Sequence, residues 1–227
     1  VDLSFEPESF SGWAPLFPLP GVVLMPGALL PLHVFEQRYR IMLRDALEGE
    51  KLIAMALLEP GFEAEYHDAP AIAGWVGLGR IVAHESLEDG RSNLLLAGLR
   101  RARVLEEDRS NPYRRARLEV VEDDESDLDA PALDALRARV VGLLERLPAS
   151  SVRDPVRLGV ARKMTQVPLG ALLDLAADAL HLDVREKQSL LQEPRVRERA
   201  SRLVALVRAR IGEAEGGTPW PPRFSRN

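Results

Sequence analysis

Cysteine is absent from the 227 residues. This excludes disulfides and thiolate zinc sites, and it suits a cytoplasmic chain. Aromatic residues make up only 5%, which leaves little material for stacking nucleic-acid bases. No apolar run approaches the roughly 18 residues of a membrane-spanning helix, so no membrane partner is expected. The opening VDLSFEPESF is acidic and lacks a basic n-region, so as it stands it does not read as a signal peptide. Lysine is confined to Lys51, Lys163 and Lys187, and none follows a glycine. A phosphate-cradling Gly-Lys-Ser/Thr loop is therefore missing. The histidines, His33, His67, His84 and His181, form no His-Glu-x-x-His and no i, i+4 pair, so neither a metal nor a cofactor is expected. The net charge of −5 gives no basic footprint at the level of the whole chain.

What is present is a 46% hydrophobic chain, enough for a substantial core. Its most unusual stretch is FPLPGVVLMPGALLPLHVFEQRYR (17–40), where prolines and glycines punctuate leucines and valines. Val22–Leu24 reads as a short strand and Met25-Pro26-Gly27 as a turn. Leu29–Val34 reads as a second strand, which Pro31 confines to an edge or a bulge. From Glu36 the period becomes helical, with Phe35, Tyr39, Met42, Leu43, Ala46 and Leu47 on one face and Gly49 as the stop. Glu36 and Arg38 beside Tyr39 read as a structural corner, with Tyr39 packed inward. KLIAMALL (51–58) is apolar on both faces, as in a fully buried strand. The runs at 75–85 and 92–99 flank Glu88-Asp89-Gly90-Arg91, a hairpin signal. Gly77 and Gly79 mark a bend or the close approach of a neighbour. RRARVL and YRRARLEVV supply two more strands, giving about seven in all.

At EDDESDLDAP (122–131) the composition changes to what reads as a solvated acidic hinge. The pattern is then helical to about residue 211. Leu133, Leu136, Val140, Leu143 and Leu147 share a face. Asp183 with Glu186 forms a capping box, Pro194 suits the first turn of a last helix, and Val196, Ala200, Leu203, Val207 and Ile211 form that helix's apolar face. The expected organisation is a β-rich subdomain (13–121), the hinge (122–131), a helical subdomain (132–212) and a Gly/Pro-rich tail (213–227). Within the tail, Trp220 and Phe224 are the candidate docking residues.

Several segments, in this order, resemble the N-terminal substrate-binding domain of Lon, the ATP-dependent protease. They are FPLPGVVLMPGALLPLHVFEQRYR, GRIVAHESLEDGRSNLLLAGLRRARV, PYRRARLEVVE and LLDLAADALHLDVREKQSLLQEPRVRERASRLVAL. The resemblance covers about residues 13–211. It implies an α+β fold, a PUA-like β pseudo-barrel followed by a C-terminal α-helical bundle. It also implies a non-catalytic module that binds unfolded or exposed apolar polypeptide segments, with a protease or ATPase as a further partner. No ATPase or peptidase segment accompanies the matching part. Met25, Leu29, Leu30 and Leu32 are the candidate polypeptide-contact residues, against the alternative that all four are core. RNA binding by a PUA-like barrel stays open as a second reading. It would use the arginines at 100, 101, 103, 109, 114, 115 and 117. Strand alternation splits these between faces, and Glu106, Glu107, Asp108 and Glu119 lie among them.

Overall fold

The computed structural model describes residues 5–61, 70–163 and 167–215. Six strands form one sheet: β1 (Trp13–Leu19), β2 (Leu29–Val34), β3 (Leu52–Leu57), β4 (Trp75–Ser86), β5 (Ser92–Asp108) and β6 (Arg115–Val121). Helix α1 (Gln37–Glu48) lies between β2 and β3. Helices α2 (Ala130–Glu145), α3 (Pro155–Lys163), α4 (Leu169–Ala179), α5 (Val184–Leu191) and α6 (Val196–Glu215) follow the sheet. The strand order is β2-β5-β4-β3-β1-β6, and β5 also pairs with β6. That second pairing closes β5, β4, β3, β1 and β6 into a ring and leaves β2 outside it, hanging from β5.

Small side chains fill the ring. Ala14, Ala54, Ala56, Ala102 and Ala116 pack with Leu16, Val76, Leu78, Leu99 and Leu118 in one buried cluster. The other face of β3 turns Ile53 and Met55 toward Met42, Leu43 and Ala46 of α1, within a second cluster that continues into the helical half. Both faces of β3 are thus buried, as its unbroken apolar run requires.

Two expectations about strands need correction. First, Val22–Leu24 is not a strand; the first strand is WAPLFPL, which its two prolines disguise. β1 changes partner midway: Trp13 to Pro15 pair with β6, and Leu16 to Leu19 pair with β3. Each half is therefore locally an edge, where a missing N–H is tolerated. Second, RRARVL is not separate from SNLLLAGL; both belong to the 17-residue β5, so the strands number six. Residues 20–28 lie across the ring, the close approach that Gly77 marks. Leu24 and Met25 are fully buried, and their carbonyls press on glycines. A Cβ at Gly77 would sit 2.0 Å from Leu24 O, and one at Gly98 would sit 2.1 Å from Met25 O. Only glycine permits this approach.

The hairpin between β4 and β5 turns at Gly90, whose φ is 79°. Arg91 N donates to Asp89 Oδ1 at 3.0 Å and closes the turn. Helix α1 begins after Glu36 and ends at Gly49, and Tyr39 points inward. Phe35 does not join its buried face; it is 61% exposed, because it precedes the helix at the end of β2. Val140 of α2 is fully buried, and Leu133, Leu136 and Leu143 pack partly buried around the same core. The capping box of Asp183 and Glu186 is formed. Pro194 stands ahead of α6, whose first residue is Val196. The apolar face of α6 is buried as its period dictates.

The acidic stretch 122–129 is mostly exposed, and it is also tied to the helical half. Asp124 N donates to Pro194 O, and Val196 N donates to Asp124 O, both at 2.9 Å. Asp123 accepts from Arg199 at 2.7 Å, Asp127 from Arg197 at 2.5 Å, and Asp129 caps α2 through Ala132 N. The tail residues Trp220 and Phe224, and with them the expected docking, lie outside the described residues.

Candidate polypeptide-binding edge

β2 pairs with β5 on one side, from Leu29 opposite Ala97 to Val34 opposite Ser92. Among the described residues no strand or bridge pairs with its other side. Gly98 N donates to Ala28 O at 2.8 Å, which sets the parity of the ladder. Leu30, Leu32 and Val34 exchange their backbone bonds with β5, and Leu29, Pro31 and His33 turn theirs outward. Pro31 thus lacks its N–H where no neighbour asks for it.

Side chains follow the same alternation. Leu30 and Leu32 are half-buried against the core and Val34 is fully buried. Leu29, 48% exposed, Pro31 and His33 face solvent. Of the four candidate contact residues, Leu29 is open, Leu30 and Leu32 are partly so, and Met25 is core. Met25 is drawn inward because residues 24 and 25 cross the ring against Gly77 and Gly98. Phe35 joins the exposed set at the far end of the strand, its ring stacked on His33 at a centroid distance of 6.2 Å. His33 Nδ1 lies 2.8 Å from Asn93 Oδ1, and Asn93 Nδ2 donates to Glu85 Oε2 at 3.1 Å, so this end has a polar border. His84 contacts Ser92 Oγ at 3.3 Å. His84 and Glu85 are thus engaged in cross-strand contacts.

At its other end β2 opens onto a groove of about 300 Å³. One wall is Val22, Val23 and Leu29 to Pro31, and the other is Leu182, Val184, Arg153, Asp178 and Lys187. Asp178 is buried. It accepts from Arg153 Nη2 at 2.7 Å and Arg157 Nη1 at 3.0 Å, and Lys187 Nζ lies 3.7 Å away. Burial lowers the pKa of Lys187, and the attraction of Asp178 opposes that shift.

A second buried charge cluster joins the sheet to the helices. Arg101 of β5 donates to Asp174 Oδ2 at 2.6 Å and to Leu191 O at 2.7 Å. Arg199 Nε of α6 lies 3.4 Å from Asp174 Oδ1, and Arg101 Nε lies 3.3 Å from Asp123. Gly170 makes room, because a Cβ there would lie 1.7 Å from Asp123 Oδ2. Asp174 and Asp178 are four apart in the otherwise apolar LGALLDLAADA, and that spacing was the available signal for both clusters.

The arginines of β5 and β6 are largely spent on acids. Arg103 pairs with Glu119 at 2.5 Å, Arg117 with Glu106 at 3.2 Å, Arg114 with Glu107 at 2.6 Å and Arg100 with Glu122 at 3.3 Å. Arg115 lies over the Trp13 ring. No group of three or more His, Cys, Asp or Glu able to hold a metal occurs among the described residues. No helix among them is long and apolar enough to cross a membrane.

Comparison with known proteins agrees with this fold. The Lon protease of Dictyoglomus thermophilum is 30% identical over 189 residues, covering 83% of this chain and 23% of that protein. The Lon protease of Anaeromyxobacter dehalogenans is 29% identical over 209 residues, covering 88% and 23%. The chain thus spans about a quarter of the length of these relatives. The crystal structure of a Lon N-terminal domain protein from Xanthomonas campestris superimposes with a TM-score of 0.62 at 27% identity, covering 85% of this chain and 97% of that one. The N-terminal domain of a Mycobacterium avium complex Lon protease shares the fold, with a TM-score of 0.63 at 19% identity, covering 86% and 98%. The family model of the ATP-dependent protease La (LON) substrate-binding domain matches residues 13–209, and the chain belongs to that family.

Proposed function

We propose that this chain is a non-catalytic module that binds exposed apolar segments of unfolded or partly folded polypeptides. It would act as an adaptor in protein quality control and present clients to a protease or ATPase partner. The observation that carries this reading is the edge of β2, unpaired among the described residues, with Leu29 and Phe35 exposed and a partly apolar groove at its start. An exposed edge with apolar side chains invites strand addition, in which backbone bonds give affinity and alternate side chains give selectivity. Pro31 and the shortness of the strand keep that edge from pairing indiscriminately. The pairing of the arginines with acids argues against a phosphate-binding strip.

Titration of the full chain with a reduced, alkylated, unfolded protein tests the reading. The expected Kd is roughly micromolar, because ordering a flexible chain offsets much of the contact energy. Affinity should change little with salt, and Leu29→Asp should weaken it about tenfold through loss of an apolar contact. Failure to bind the unfolded protein, with RNA binding that falls steeply between low and moderate salt, would overturn it.

A further inference from the structure

The groove at the start of β2 has a charge imbalance that an apolar client does not explain. Asp178 faces three cations, Arg153, Arg157 and Lys187. Asp154 lies 3.8 Å from Arg157 and answers one more. One positive charge remains in a protein whose net charge is −5. Lys187 is the cation least matched: among the described residues its ammonium has Asp178 at 3.7 Å, beyond ordinary hydrogen-bond length, and its side chain is only 12% exposed. An ammonium at the end of a largely buried side chain, with donors beyond its one charged partner, favours an anion that can enter the groove.

The direction of β2 indicates which anion. The strand starts at the groove and runs away from it toward the open end at Phe35. An added strand that lies antiparallel, the commoner and slightly more stable pairing, travels from Phe35 toward Leu29. Its C-terminus then lies at the groove that Leu182, Val184 and Lys187 help to line. A chain that ends there brings its carboxylate to Lys187 and Arg153, the cations of that lining.

We propose that this groove is a receptor for the free C-terminal carboxylate of an extended apolar polypeptide, held by Lys187 and Arg153 and added antiparallel to β2. This rests on the polypeptide-binding reading above and specifies which part of the client is held.

The test uses the full chain and an N-terminally fluorescein-labelled heptapeptide with leucines at alternate positions and serines between. It is made as the free acid, as the C-terminal amide, and as an amide with glutamate next to last. Anisotropy should show the free acid binding about tenfold more tightly than either amide, as for a partly buried charge-assisted bond. Lys187→Met should bring the acid and the amide to the same affinity, and Leu29→Asp should weaken all three peptides. Circular dichroism checks the fold, and Arg153→Gln, at a half-exposed side chain, serves if Lys187→Met does not fold. Equal binding of acid and amide, both weakened by Leu29→Asp, would overturn the carboxylate site and leave the polypeptide-binding reading intact. Glutamate-amide binding as tight as the free acid would overturn the commitment to a chain terminus. No binding of any peptide would overturn the inference, and the unfolded-protein titration then decides the broader reading separately.

Discussion

Asp174 is buried with an arginine on either side, and its cost and its benefit are both large. Taking a carboxylate out of water pushes its pKa up, while Arg101 and Arg199 pull it down. Such a cluster is weak evidence of net stabilisation, but breaking it leaves uncompensated charge. Asp174→Ala should therefore cost about 3–5 kcal/mol in urea unfolding, the range for removing one partner of a buried pair. Arg197→Ala, at a half-exposed pair with Asp127, should cost under about 1 kcal/mol. Similar losses from both would show that burial does not set the value of these pairs. Tyr113 offers a pH test. Burial, and then its bond to Asp45 at 3.0 Å, raise its pKa from 10.0 to about 12. The fold favours the protonated phenol, so its contribution is complete below pH 10 and is lost as pH rises toward about 12. In a titration of phenolate absorbance a step near about 12 should vanish in Tyr113→Phe. A wild-type protein whose tyrosines all ionise together near the ordinary value would contradict this.

Among the elements, those whose period and punctuation agree were legible in the sequence. β3, the Asp-Gly hairpin, α1 with its Gly49 stop, the capping box of α5 and the apolar face of α6 are where the residues place them. β1 was not legible, because prolines forbid a central strand and nothing local shows that each half has only one partner. The length of β5 was hidden for a related reason, since its register on β4 shifts between Gly98 and Arg100 and it changes neighbour from β2 to β6 along its course. The breaker-rich segment 20–28 makes sense only beside Gly77 and Gly98, more than fifty residues on. In the candidate site, Leu29 could be read from the edge strand that Pro31 implies. The spacing of Asp174 and Asp178 marks buried charge, but that Asp178 and Lys187 share a groove with the start of β2 depends on tertiary packing that no local pattern carries. The crossing predicts a contrast between glycines. Gly77→Ala or Gly98→Ala puts a Cβ into a backbone carbonyl and should destabilise by about 1–3 kcal/mol or more, the cost of overpacking. Gly142 is exposed in α2 and would meet nothing within 4 Å. Gly142→Ala should stabilise by roughly 0.5–1 kcal/mol through helix propensity. Equal thermal shifts for the three variants would mean that the close approach is not what selects glycine.

At the scale of the molecule, the division at 121–132 is proposed as a boundary of architecture and not of cooperativity. One apolar cluster takes in Met25, Leu94 and Leu96 from the sheet side and Leu172, Leu190 and Val196 from the helices. Arg101 crosses the same boundary to reach Leu191 O and Asp174, and Gln188 Nε2 reaches Trp75 O at 2.9 Å. The strap at 122–129 is tied to the start of α6, so it cannot serve as a free hinge while α6 is docked. Separating the halves would expose the shared core on both, a loss that neither can recover from its own contacts. The two halves should therefore unfold together. With Trp220→Phe as the parent protein, the two remaining tryptophans, Trp13 and Trp75, report from β1 and β4, while circular dichroism at about 222 nm is dominated by helices, most of which follow the strap. In urea the fluorescence and dichroism transitions should coincide in midpoint and slope, the signature of two-state behaviour. Asp123→Ala, which removes a partner of both Arg101 and Arg199, should move both midpoints down by the same amount. If the helical signal melts ahead of the tryptophans, in the parent or the variant, the halves are separate folding units and the shared core does not couple them.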